Sequence, residues 1–383
     1  MAVDGVVDQL PLAAYVVAMS HLPNVGPVRL RALLGAGDPA TTWADVVRGV
    51  AHRHASVAAA LGTRAPEQAT AWRQAAKDID PATLWQACGD AGVGVLVAGQ
   101  SGYPDALAVA PEPPVILFSR GDPDGLVGAR VGIVGTRRST RYGLDLAWEL
   151  GHDLAAVGVS VVSGLALGID GAAHAGCLAA EGAPPIAVVG CGLDRPYPRR
   201  HGALWHQVAT AGVVLGEYPL GSPPEAWHFP ARNRIIAALS DVLVVVESDV
   251  TGGSLITAEQ AALHGVPVFA VPGPVRSAAS AGTNQLIADG VQVCTGVDDV
   301  LLGLDARPTV IRRSAEPRPS PSAAGAVLLD AFGWQPATFE LLLHRCGGRS
   351  TGEVASALEG LVADGWATSR GPWFERVAKG APP

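Results

Sequence analysis

Lysine is almost absent from this chain: of its 27 basic residues only Lys77 and Lys379 are lysines, and the rest are arginine. Neither lysine stands in a Gly-Lys-Ser/Thr segment, which excludes a Walker-A phosphate loop. Any phosphate chemistry must therefore run on arginine forks and backbone amides. The five cysteines (Cys88, Cys177, Cys191, Cys294, Cys346) are scattered, and no CxxC pair occurs. That argues against a zinc knuckle or a disulfide framework and points to a reducing cytoplasm. No apolar run reaches the roughly 20 residues that span a bilayer, and Asp4 and Asp8 stand where a signal peptide would be basic. A net charge of −8 excludes an all-over basic coat for nucleic acid, though a local patch remains open. There is no G-x-S-x-G elbow and no HExxH. Ser163, Asp170 and His174 fall in one loop and helix, where a local capping pair is the simpler reading than a triad. Gly190-Cys-Gly192 lacks the third glycine of a dinucleotide fingerprint. No cofactor and no metal is expected.

What is present is a strand–turn–helix signal at Val131–Gly143, VGIVGTRRSTRYG. An apolar run ends at Gly135. Arg137, Arg138 and Arg141 then crowd around Ser139 and Thr140, ahead of a helical pattern from Leu144 to about Ala156. Backbone N–H groups and a helix start converge there, which favours an anion; a plain turn with solvated arginines is the alternative. Further apolar strands are expected at Val159–Val162, Ile186–Val189, Val213–Gly216, Val242–Val246 and Pro267–Val271, with helices between most of them. Such alternation predicts a parallel sheet covered on both faces, with ligands at the carboxyl ends of its strands. Upstream, Val93–Val97 reads as a short strand and Pro113–Phe118 as an apolar run.

At 383 residues two or three domains are expected. Residues 1–80 read as helical, with Leu22–Leu34 resembling the hairpin of a helix-hairpin-helix (SAM-like) module. Residues 81–304 hold the sheet, and 305–324 form a Pro/Ser/Arg linker. Residues 325–383 read as short helices at Val327–Phe332 and Ala337–His344, a capping box Ser350–Glu353 opening a helix to about Ala363, and a hairpin at Trp366–Ser369 and Trp373–Val377. That is a winged-helix layout.

The strand-end loops gather Arg137, Arg138, Arg141, Arg195, Arg199, Arg200, Arg232 and Arg234, interleaved with Tyr197, Tyr218, Trp227, His228 and Phe229. Arginines along a backbone with flat side chains for bases are how single strands are held without sequence preference. Phe229, before Pro230, reads as a core residue among these. Gly135, Ser163, Gly164, Gly252 and Gly253 are expected to shape anion-binding turns. Gly252-Gly253 with Ser254 at a helix start, and Glu259 on that helix, also resembles nucleotide-cleaving proteins of the lysine-decarboxylase-like group. That supports a nucleoside-monophosphate hydrolase as the rival function.

Gly135–Gly143, Ser163–Asp170, Gly190–Pro198, Glu217-Tyr-Pro219, His228–Ile236, Gly253–Ala258 and Val271-Pro-Gly273 occur in an order that resembles the DNA-processing protein A (DprA/Smf) family. The resemblance covers roughly Tyr103 to Leu304. It implies an extended Rossmann-like domain and a homodimer through it. It also implies a non-catalytic protein that binds single-stranded DNA and hands it to the RecA recombinase in natural transformation or recombination. The family's DNA-pocket arginine falls on Arg137, and its pocket lysine falls on Arg199. Where the family often carries a basic residue before its Gly-Ser turn, Thr251-Gly252-Gly253-Ser254 stands here. Arg232 and Arg234 are second choices for phosphate contacts, since either could brace loops through carboxylates instead.

Overall fold

The computed structural model describes residues 10–304, 318–332 and 336–377. Six helices lead: α1 (Leu12–Ser20), α2 (Pro27–Leu34), α3 (Pro39–Arg48), α4 (Ala55–Leu61), α5 (Ala65–Ala75) and α6 (Pro81–Asp90). Their ends follow local chemistry. Asp38 and Asp80 accept the backbone N–H of Thr41 and Thr83, with proline at the first helical position in each case. Gly49 closes α3 in the left-handed region at φ 77°. α1 is apolar nearly all round because it is the centre of this group, with Val16, Val17, Ala18 and Met19 fully buried. Its core continues without a break through Cys88 of α6 to Val189, Trp205 and Val214 beside the sheet.

The strands are β1 (Gly94–Val97), β2 (Ile116–Gly121), β3 (Arg130–Val134), β4 (Ser160–Ser163), β5 (Ile186–Val189), β6 (Val213–Gly216), β7 (Val242–Val245), β8 (Val268–Ala270) and β9 (Gln292–Val293). They form one sheet in the order β1-β2-β6-β5-β4-β3-β7-β8-β9. The run from β6 to β9 is parallel throughout, as the apolar strand pattern predicts. The short strand expected at Val93–Val97 is β1, which pairs with β2, and β2 joins β6 antiparallel, while β9 adds a short edge; the antiparallel pairing and β9 were not expected. Between these lie α7 (Asp105–Ala108), α8 (Arg141–Ala156), α9 (Ile169–Ala179), α10 (Gly202–Ala211), α11 (His228–Leu239), α12 (Gly253–Leu263), α13 (Ala278–Ala288) and α14 (Val297–Gly303). The order reverses between β3 and β7. In a doubly wound sheet that reversal opens a crevice at the strands' carboxyl ends.

Most of the 305–324 segment lies outside the described residues. Beyond it come α15 (Ala323–Phe332), β10 (Ala337–Thr338), α16 (Phe339–Arg345), α17 (Thr351–Ala363), β11 (Ala367–Arg370) and β12 (Trp373–Arg376). The helix expected from Ala337 begins instead at Phe339, because Thr338 caps it by accepting Leu341 N–H while Ala337 and Thr338 pair with β12. The capping box at Ser350 and Glu353 is formed. Leu328, Phe332, Leu342, Leu358 and Trp366 build a separate small core. Among the described residues no helix is long and apolar enough to cross a membrane.

His174 on α9 sits fully buried under the sheet with Nε2 at 3.2 Å from the Ile186 carbonyl. Burial pulls its pKa down to about 4, so it stays neutral at pH 7. The unfolded chain takes up this proton near pH 6.5 and the folded chain only near 4. The stabilisation is therefore complete above pH 6.5 and falls as pH drops towards 4, by about 3 kcal/mol in all. Asp170, Glu217 and Glu247 have raised pKa values and act with the opposite sign. Urea unfolding at pH 7 and pH 5 should thus show a shallower acid loss for His174→Gln than for the parent. Parallel curves would remove His174 as the cause.

Candidate nucleic-acid interface

The crevice is built from the loops that follow β3 and β7. Thr136 N–H donates to the Glu247 carbonyl at 2.8 Å, tying the two loops together. Gly135 permits this approach: a Cβ there would meet Ile169 Cγ1 at 2.5 Å and the Glu247 carbonyl oxygen at 2.9 Å. Thr140 caps α8 by accepting Gly143 N–H at 3.2 Å. The anion expected at this helix start is already there, and it belongs to the protein. The Glu247 carboxylate accepts Thr140 N–H at 2.9 Å and the Thr140 hydroxyl at 2.5 Å, and a side chain at Gly143 would collide with it. Burial raises the Glu247 pKa, and the two Thr140 bonds oppose that rise.

Beside this plugged helix start lies an open cavity of about 640 Å³. It is lined by Gly135, Arg137 and Arg138 from one loop and by Gly252, Gly253 and Ser254 from the other, with Tyr197 and Phe229 as walls. Arg137 is exposed, and its guanidinium lies 4.8 Å from the centre of the Phe229 ring. Tyr197 leans on the same ring at 5.7 Å. Neither Arg137 nor Arg138 enters an ion pair among the described residues. Gly252 precedes α12 with no side-chain cap, and the start of that helix, Gly252 to Ser254, lines the cavity with no carboxylate of the kind Glu247 provides for α8. Ser254 is buried, with its hydroxyl donating to Ser248 Oγ at 2.8 Å. The cavity therefore offers two guanidinium groups outside any ion pair among the described residues, an aromatic wall and a helix start, which suits a nucleic-acid backbone with a base alongside.

The other residues singled out in the sequence take different places. Arg199 is exposed on a short turn after Pro198, next to Tyr197 but outside the cavity lining. Ser139 is half-buried on the β3 loop and does not line it. Ser163 is fully buried, its hydroxyl donating to the Ile133 carbonyl at 2.6 Å as a tie between strands. Gly164 is needed for packing: a Cβ there would lie 1.7 Å from Arg232 Nη1. Arg232 is only 5% exposed, donates to the Val188 carbonyl, and faces Asp170 at the cavity floor. Burial pushes the Asp170 carboxyl up, against the pull of Arg232 and the Gly164 N–H.

Arg234 points away from the cavity and donates to both Glu217 oxygens, at 2.7 and 2.6 Å. Arg141 pairs with Asp145 at 2.8 Å. Arg232 and Arg234 are thus each held by an internal acceptor, the Val188 carbonyl and the Glu217 carboxylate. Arg234→Gln should lower the thermal midpoint while leaving the salt dependence of nucleic-acid binding unchanged. A shallower salt slope in that variant would return Arg234 to the interface.

Two readings of the aromatics change. Phe229 was expected in the core, yet it is half-buried in the cavity wall beneath Arg137. Tyr218 and His228 were expected as platforms, but they stack on each other at 3.7 Å and His228 is buried. Asn233 was not foreseen: one turn into α11 it lines the cavity and donates to the Gly253 carbonyl at 3.2 Å. Glu259, which the hydrolase reading needs, is exposed on α12 and does not line the cavity.

The chain as a whole resembles known proteins. The profile of the family described as DNA recombination-mediator protein A matches residues 94–305. DNA processing protein DprA of Bacillus subtilis is 38% identical over 217 residues, 56% of this chain and 73% of that protein. Protein Smf of Escherichia coli is 39% identical over 203 residues, 53% of this chain and 54% of its own length; the matched region spans about half of that relative. Among solved structures, DNA processing protein A from Streptococcus pneumoniae superposes with a TM-score of 0.65 at 32% identity, covering 76% of this chain and 98% of that one. DNA processing protein A from Helicobacter pylori, described for a unique single-stranded DNA binding mode, superposes with a TM-score of 0.51 at 31% identity over 56% of this chain and 97% of that one. With more than half of its length matched by the family profile, the chain belongs to the DNA recombination-mediator protein A family.

Proposed function

We propose that this protein binds single-stranded DNA along the carboxyl edge of its sheet and delivers it to a RecA-type recombinase, in transformation or recombination, without chemical turnover. The observation that carries this reading is the cavity at the β3–β7 crevice. There Arg137 lies unpaired over Phe229, with Arg138 and the start of α12 beside it. Arg199 and Arg200, both exposed, extend the positive edge beyond it. An open trough with an aromatic wall suits a strand whose bases are unpaired and free to stack. The single-stranded DNA binding described for the Helicobacter pylori relative supports the same reading.

In this proposal the sheet region is an extended Rossmann domain that also forms the homodimer. Helices α1–α5 are a SAM-like module, and residues 323–377, three helices followed by a hairpin, are a winged helix. The test is a polarisation titration of labelled oligonucleotides at two salt concentrations. Single strands should bind more tightly than duplexes of equal length, with a log–log salt slope of about −0.7 per phosphate contact. Equal binding of both forms, or binding indifferent to salt, would overturn the proposal.

A further inference from the structure

The loop from Gly135 to Thr140 has a second side. On the far side from Arg137, Thr140 and Glu247 join Tyr142, the Pro272-Gly273-Pro274 turn, Arg276 and the C-terminal hairpin around a cavity of about 900 Å³. Its walls are set by ordinary rules. Side chains alternate along β12, so Phe374 and Arg376 turn to their own module, Phe374 onto its core and Arg376 to the Leu329 carbonyl. Trp373 and Glu375 therefore share the opposite face and line the cavity. The proline turn facing them is rigid. Asn284 bonds both the N–H and the carbonyl of Gly273, at 3.1 and 3.0 Å, and the Tyr142 hydroxyl donates to the Pro272 carbonyl at 3.2 Å.

Three features of this cavity are unused by the fold. The Trp373 indole is 48% exposed although it stands in a cleft. Glu375 Oε2 is buried and accepts no hydrogen bond among the described residues, an unusual state for a carboxylate oxygen. Arg276 is exposed at the rim and makes no ion pair among the described residues. A flat ring that brings N–H donors fits the first two features, and an anion fits the third. The carboxylates of Glu247 and Glu375 repel phosphate from the interior, which leaves the backbone at the Arg276 rim and turns the base inward.

We propose that the cavity between the β3, β7 and β8 loops and the C-terminal hairpin is a second strand subsite, in which a base carrying adjacent N–H donors, guanine above all, stacks on Trp373 and donates to Glu375 while Arg276 holds its phosphate. This rests on the single-strand reading above, because the loop from Gly135 to Thr140 forms a wall of both cavities and so makes the second a continuation of the first. The C-terminal module then acts as one jaw of the strand path.

The full-length protein is titrated with an all-thymine oligonucleotide and with one of equal length carrying interior guanines. The parent should prefer the guanine-bearing strand. Trp373→Ala should weaken that strand about five- to a hundredfold, in line with the loss of one stacked base. Glu375→Gln, nearly isosteric, should abolish the preference. Arg276→Ala should make the salt slope shallower by about 0.7. Trp373 and Glu375 point off their module, so unchanged thermal unfolding checks that the variants are folded. If the parent binds single strands but all three variants match it in affinity, preference and slope, this inference falls while the single-strand reading stands. If the parent binds no single strand, the broader reading falls with it. Saturation of the Trp373 site by free guanosine monophosphate with no effect on oligonucleotide affinity would also overturn it.

Discussion

Arg137→Ala is expected to weaken single-strand binding about ten- to a hundredfold, measured by polarisation at moderate salt. Hydrogen bonds to charged groups are worth about 1.5–3 kcal/mol, and Arg137 is placed to make them without first breaking an internal one. Its guanidinium rests on Phe229, which fixes the fork and limits the side-chain entropy that binding must remove. The variant should also show a salt slope shallower by about 0.7, one phosphate contact fewer. Arg137→Lys should fall between parent and alanine, since it keeps the charge but loses the planar stack. Affinity and slope equal to the parent's in the alanine variant would place the strand elsewhere.

The second large effect is on stability. Arg232→Ala should cost about 3–5 kcal/mol, because it strips the buried Asp170 of the nearby cation and leaves only the backbone N–H groups of Gly164 and Ala166 to compensate its carboxylate. Arg232 and Asp170 are 5% exposed each, so solvent cannot take the place of the lost partner. For a unit of this size the thermal midpoint should drop on the order of 10 °C. The double variant Arg232→Ala/Asp170→Ala should lose less than the sum of the two single variants, since the second change removes the charge that the first exposed. Strict additivity would show that the two groups are not coupled. Gly164 makes the same point from the backbone side, since the Arg232 guanidinium fills the space a side chain there would need.

Much of the sheet was legible because its parallel strands are Val- and Ile-rich runs punctuated by glycine and helical segments. β5 and β6 fall on the residues expected for them. β9 was not legible, for Gln292–Val293 is too short to carry a pattern, and the antiparallel β1–β2 flank had no signal of direction. In the site, Gly135, Arg137, Gly252, Gly253 and Ser254 stood out because turns at strand ends have a local signature, and one cavity gathers all five. Arg232 and Arg234 were read with them because charge alone does not reveal a partner. Theirs come from other segments, Asp170 after β4 and Glu217 after β6. Phe229 was misread as well. Read as a core residue before Pro230, it lies instead in the cavity wall, and Pro230 sits in the first turn of α11, where a missing N–H is harmless.

Glu247 carries a consequence for what the crevice can select. A helix start closed by the protein's own carboxylate is a permanent, covalently tethered competitor that no free phosphate can dilute away. A lone nucleotide therefore finds no deep anion hole at α8 and must rely on Arg137 and its neighbours one contact at a time. A long strand gathers those contacts together and gains from their number. On the proposed single-strand reading, the same buried glutamate that braces two loops would bias the surface towards polymers over single nucleotides.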